Sequence, residues 1–183
     1  MATAGGPILQ RETDTYGEWV KIFRHRSTDD AFFSSDNDWA EAKQTNTSLP
    51  DSDKYSILSS WEHFLRNDKF TLKLIYPSQS LENPSYSNVT NIWSQTNNPV
   101  VEDGSGGVTG YTAISIESTS SGWGGLERYD AQSSTFLDGT LVPQGNWWWA
   151  IGSKNNYQSN NPNFPGPGVT TQLVELWILD KPA

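Results

Sequence analysis

Gly145-Asn146-Trp147-Trp148-Trp149-Ala150-Ile151-Gly152-Ser153 commits three consecutive indoles to one short run. On a β-strand successive side chains point to opposite faces. Trp147 and Trp149 then share one face and Trp148 takes the other. One face serves a core; the other needs structural cover or meets a ligand. The run is expected to be a penultimate strand, paired near the closing strand.

Working outward, the neighbouring segments also read as strands. Glu18 to His25 alternates Trp19, Lys21 and Phe23 with Val20 and Ile22, so both faces are apolar and the strand is expected to be central. In Lys69–Tyr76, Phe70, Leu72, Leu74 and Tyr76 face one way, and Pro77 ends the strand. Val89–Ser94 is a weaker strand, and Thr109–Glu117 alternates well, with Tyr111, Ala113 and Ser115 against Thr112, Ile114 and Ile116. Asp138-Gly139 reads as the turn of a tight hairpin over Thr135–Val142. Thr170–Leu179 closes the series with Val174, Leu176 and Ile178 on one face. Tyr55, Leu58, Trp61 and Leu65, with Ile57 and Phe64, form an apolar stripe at helical spacing, with Ser52 or Asp53 as cap. The expected fold is mainly β: an antiparallel, jelly-roll-like β-sandwich with one packed α-helix near residues 53–67. Residues 1–16 read as a flexible N-terminal arm and 17–183 as a single domain.

Composition limits the partners. The 183 residues carry a net charge of −9, and the sequence pI is about 4.5. That argues against nucleic acid and anionic membrane surfaces, which attract basic proteins. No apolar run approaches membrane-spanning length, so no membrane insertion is expected. With no cysteine, disulfides, thiolate nucleophiles and Cys-type zinc sites are excluded. No signal peptide is visible at Met1–Pro7. Asn46-Thr47-Ser48 and Asn88-Val89-Thr90 are glycosylation sequons, relevant only to a secreted chain.

Three constellations bear on chemistry. In the acidic loop around Asp36-Asn37-Asp38, Asp36 and Asp38 offer the hard oxygens that calcium takes, without the EF-hand spacing. A solvated acidic loop is the alternative, and Glu102-Asp103-Gly104 is a second, weaker candidate. Beside the tryptophan run, Asn155, Asn156 and Tyr157 place short amides and a phenol next to Trp147 and Trp149. Sugars need this pairing: a flat ring for the C–H face and polar groups for the hydroxyls. The structural alternative has core tryptophans and turn-forming asparagines. Third, Glu117, Glu127 and Glu175 lie on or near strands and would serve glycoside hydrolysis if two of them converged. His25 and His63 are the only histidines, and no Gly-x-Ser-x-Gly elbow is present.

Trp19-Val20-Lys21-Ile22-Phe23-Arg24, Tyr55-Ser56-Ile57-Leu58, Asp68–Leu74, Trp93–Pro99, Trp123–Leu126, Gly145–Trp147, Ala150–Gly152, Pro165–Pro167 and Val174–Trp177 span most of the chain. Together they resemble a lectin-like or adhesive extracellular β-module of marine invertebrates. The chain departs from that pattern in lacking cysteine. The resemblance implies recognition and assigns no site residues.

The leading expectation is a carbohydrate-binding, lectin-like protein, not an enzyme. Trp147, Trp149, Asn155, Asn156 and Tyr157 would bind glycans, and calcium at Asp36 and Asp38 would assist. It would be secreted and homo-oligomeric, with the cytoplasm as the alternative compartment. The alternatives are a protein-binding matrix module and a carboxylate-dependent glycan-active enzyme.

Overall fold

Two antiparallel sheets enclose one apolar core. The computed structural model describes residues 6–26, 32, 39–77, 88–101, 107–117, 123–128, 135–141, 146–153 and 172–183; at 39, 135, 140, 141, 146–150 and 153 only the backbone is described. The larger sheet comprises β1 (Arg11–Asp14), β2 (Gly17–Arg26), β3 (Lys54–Ser56), β4 (Phe70–Tyr76), β5 (Val89–Gln95), β6 (Thr112–Ile116) and β10 (Leu173–Pro182). Its order is β1-β2-β10-β4-β5-β6, and β3 pairs with β2 at Phe23–His25, beyond the stretch taken by β1. The smaller sheet is β7 (Leu126–Glu127), β8 (Thr135–Leu141) and β9 (Asn146–Ser153). The mainly-β antiparallel architecture is the one the alternating apolar residues predict.

The inner face of the large sheet presents Val20, Leu72, Leu74, Trp93, Leu176 and Ile178, all buried. Leu126, Phe136, Leu137 and Ile151 of the small sheet pack into the same core. Trp61 and Trp93 are fully buried there, and truncating either to alanine is worth about 3–5 kcal/mol.

The segment 53–67 is not an α-helix. It begins with β3 and continues as a 3-10 helix, Leu58–Phe64. The buried residues Leu58, Trp61 and Phe64 recur every three positions, which is the 3-10 period. Leu65, the member at α-helical spacing, is 37% exposed. Neither Ser52 nor Asp53 caps it: no side chain caps this helix at its N-cap, Ile57. Asp53 instead lies 3.7 Å from Arg24 and Arg26. The α-helix among the described residues is the short α1, Trp39–Lys43.

Three further expectations change. The described part of the N-terminal arm is tied down: β1 pairs with β2, and the Ile8 amide donates to the Thr47 carbonyl at 3.0 Å. The closing strand β10 lies inside its sheet, between β2 and β4. The tryptophan strand β9 pairs with β8 and belongs to the other sheet, so it does not neighbour β10 in a ladder.

The outer face of the large sheet carries a second apolar cluster, Trp19, Ile92, Trp177 and Leu179 with Ile75. Two lysines are folded into it. Lys73 Nζ sits 4.4 Å from the Trp19 ring centre and 5.7 Å from that of Trp177; Lys21 Nζ sits 5.1 Å from Trp177. Carboxylates meet each cation: Glu12 and Asp14 for Lys73, Asp51 and Glu175 for Lys21. Ammonium groups on indole faces are stabilised by the ring quadrupole, more so when desolvated.

Bulges shape both ends of this sheet. The β2–β10 register skips Ile22 and Asp180, and Asp180 accepts hydrogen bonds from Arg11 and Arg66. The β5–β6 register skips Ile114, which is 43% exposed. A bulge there blunts a strand that is uncharged and, among the described residues, at the sheet edge, against pairing with other chains.

Gly17 opens β2 at φ +135°, and a Cβ on it would lie 2.1 Å from the Lys181 carbonyl oxygen. Gly17→Ala is expected to cost about 2 kcal/mol or more through strain and displacement of the β10 end. Urea unfolding reads this as a lower midpoint with an unchanged m-value.

Candidate functional site

The small sheet holds a buried carboxyl, that of Asp138, in an unfavourable environment. Its position depends on a polar hub in the large sheet. Gln95, fully buried at the end of β5, accepts from Trp93 Nε1 at 2.8 Å and from the Leu126 amide at 3.0 Å. Its Nε2 donates to the Leu126 carbonyl at 3.0 Å and to Asn97 Oδ1 at 3.2 Å. Both backbone groups of Leu126 are thereby held, and β7 is pinned to the larger sheet. The approach demands glycine before it. Gly125 has φ +97°, and a Cβ there would lie 2.9 Å from Gln95 Oε1 and 3.0 Å from Val108. Trp123 packs edge-on against Trp93, with ring centres 4.9 Å apart.

From β7 the chemistry passes to β8. Glu127 stands directly opposite Asp138, and Leu126 opposite Gly139. Residues opposite one another in an antiparallel pair share a sheet face. Asp138 is 3% exposed, and its Oδ1 has no hydrogen-bond partner among the described residues. Burial, and then the neighbouring charge of Glu127, hold the Asp138 carboxyl well above the ordinary carboxylate range. Two positions along the strand, Phe136 is flanked by Lys43 at 5.9 Å and Arg128 at 5.4 Å from its ring centre. Burial, and then the charge of Arg128, lower the Lys43 pKa. A Cβ on Gly152 would lie 3.1 Å from Phe136 Cβ and 3.5 Å from Ala42 Cβ, so α1 lies close against this end of β8–β9.

Across β8, the register sets Asp138 opposite Trp149, Gly139 opposite Trp148 and Thr140 opposite Trp147. The register slips between Leu137 and Asp138, so that Ala150 has no partner in the ladder. Bulges of this kind locally disrupt pairing and recur beside functional sites. The Asp138-Gly139 dipeptide is thus inside a strand and not at a hairpin turn.

Of the residues singled out from sequence, Trp147 and Trp149 lie on β9, the outer strand of the small sheet among the described residues. Asp36, Asp38, Asn155, Asn156 and Tyr157 lie outside the described residues, as does 102–106. The three glutamates are not brought together. Glu175 is taken by Arg24 and Lys21 and by Trp177 Nε1, all on the outer face. Glu117 Oε2 accepts from the Thr90 amide beside β6. Only Glu127 meets another carboxyl, that of Asp138, a residue sequence reasoning had assigned to a turn. The alternation Phe136, Asp138, Thr140 through that turn dipeptide was the available signal.

His25 is buried with its ring edge-on to Phe32 at 5.3 Å, and His63 is exposed. Among the described residues, a cavity of about 450 Å³ is lined by Ser48 to Ser52, none of them aromatic. Among the described residues no group of three or more His, Asp or Glu side chains is placed to hold a metal, and no helix is long and apolar enough to cross a membrane. No protein-family model matches the chain, and no similar chain was found among the curated proteins or the solved structures.

Proposed function

We propose that the chain is a carbohydrate-recognition module whose ligand face lies on β7–β9. The observation that supports this reading is the register of the tryptophan strand with Asp138, a buried carboxyl whose Oδ1 has no partner among the described residues. Neutral glycans need apolar ring faces beside fixed polar groups, and one three-stranded sheet brings those residue types together here. The acidic balance favours neutral ligands over nucleic acid. Asn155, Asn156 and Tyr157 follow β9 directly in sequence and complete the polar set in this reading. The module acts outside the cell and presents several weak sites by homo-oligomerisation, which raises avidity.

A glycan array with and without EDTA tests the proposal. Binding to a neutral glycan is expected, and Trp149→Ala is expected to weaken it about tenfold or more, or ~1.4 kcal/mol. Absence of binding under both conditions overturns the reading. Light scattering on the purified chain checks the oligomer.

The facing pair Glu127 and Asp138 favours one second reading, a glycan-active enzyme. In it Asp138 supplies the proton to the leaving oxygen and Glu127 takes one from water. Polysaccharide turnover that disappears in both Asp138→Asn and Glu127→Gln would establish it over simple binding.

A further inference from the structure

An asparagine followed two residues later by serine or threonine, with no proline between, is the acceptor pattern for N-linked glycans, provided the amide lies at the surface. The chain has two such sequons, and the structure treats them differently. Both asparagines are exposed and hold left-handed backbone angles, Asn46 at φ +47° and Asn88 at φ +56°, a conformation asparagine adopts more readily than other side-chain-bearing residues. The Asn46 amide is used by the fold: its Nδ2 donates to the Lys54 carbonyl at 2.8 Å. The next residue is held too, since the Thr47 carbonyl accepts from the Ile8 amide.

At Asn88-Val89-Thr90 the fold fixes the backbone and leaves the reacting groups alone. Val89 pairs with Tyr76, and Thr90 with Ile75. The Thr90 amide donates to Glu117 Oε2 at 2.8 Å. Neither the Asn88 side-chain amide nor the Thr90 hydroxyl is engaged by another described residue. Asn88 stands just ahead of β5 in the larger sheet, whereas β7–β9 form the other sheet.

We propose that Asn88 is an acceptor site for an N-linked glycan. The proposal rests on the reading that the module acts outside the cell. In the transfer, Asn88 Nδ2 attacks the anomeric carbon of an oligosaccharide carried on a polyisoprenyl pyrophosphate. The bond from that carbon to the pyrophosphate oxygen breaks, and the lipid pyrophosphate leaves with the electron pair. The nitrogen gives one of its two protons to a base of the host transferase. The product keeps one N–H, and Asn88 gives up no hydrogen bond within the described fold.

The test expresses the full chain behind a cleavable leader in cultured eukaryotic cells, beside a secreted reporter glycoprotein that confirms transferase activity. An electrophoretic shift that peptide N-glycosidase removes is expected. Peptide mass spectrometry should place the glycan at Asn88 in most molecules. Asn88→Gln and Thr90→Ala should each abolish modification at this site, whereas Thr90→Ser keeps the hydroxyl and should preserve it. Asn46→Gln should leave the Asn88 signal unchanged. The proposal is overturned if the reporter is modified while Asn88 is not, or if Thr90→Ala retains the glycan. The leader makes the result independent of where the chain resides. Failure at Asn88 therefore leaves the recognition reading standing, and an array without binding leaves the acceptor site standing.

Discussion

Gln95→Leu is expected to cost about 3–6 kcal/mol, a large share of the stability of any domain this size. The substitution keeps most of the volume but removes every hydrogen bond that the amide makes. Trp93 Nε1–H, the Leu126 amide and the Leu126 carbonyl would all lose their partner while buried. Each orphaned group costs about 1–3 kcal/mol. The loss is larger than that of an ordinary core polar residue because Gln95 is the link between the sheets at β7. Chemical unfolding gives the magnitude. A second readout separates this role from generic destabilisation: hydrogen exchange at Leu126 and Glu127 should accelerate more than exchange in β4 and β10. Equal acceleration in all four segments would refute the hub as the anchor of β7.

Lys73→Met should cost about 2–4 kcal/mol. The methionine retains the stem between Trp19 and Trp177 but leaves Glu12 and Asp14 without their cation. The lysine side chain is 5% exposed, whereas the two carboxylates remain partly in water, at 43% and 35%. Water can therefore take up part of the loss, which holds the value below that of a fully buried pair. The same pair has a pH signature. Burial raises the Asp14 pKa, but hydrogen bonds from Trp19, the Tyr16 amide and Lys73 outweigh it, and the carboxyl ends below its ordinary 3.8. A carboxyl depressed on folding adds stability that is complete above its unfolded pKa and lost as pH falls through the folded one. Wild type should therefore lose stability below about pH 4. Lys73→Met should lose less over that range, having less to give up. Parallel acid limbs in unfolding curves of the two proteins would contradict the assignment.

How much of this was legible depends on whether local period or long-range packing decides. β2, β4 and β10 were readable because large apolar residues fill them and both faces are covered, so nearly every position reports burial. The segment around Trp61 was read with the wrong period. Spacings of three and four both suit an α-helix, but here only the threes are buried, and Leu65 faces out. Asp138-Gly139 was misread for another reason. The dipeptide favours a hairpin in isolation, yet Gly139 pairs with Leu126 and Trp148 inside the sheet. Neighbouring strands on both sides overrode the local preference.

For the candidate site, residue type was visible and juxtaposition was not. The tryptophan run, the acidic balance and the absence of cysteine are properties of the chain alone, and they confine the chemistry to aromatic, amide and carboxylate groups. Which carboxylate matters was decided by the fold. Glu175 looked as eligible as Glu127, but β2 brings Arg24 and Lys21 to the first, while β8 brings Asp138 to the second. Charge pairing between residues so far apart in sequence follows from strand order and register, which alternation does not encode. Local sequence therefore determined strands, faces and the stock of reactive groups; only tertiary structure decided which of those groups meet, because strand order and register set the neighbours of residues far apart in the chain.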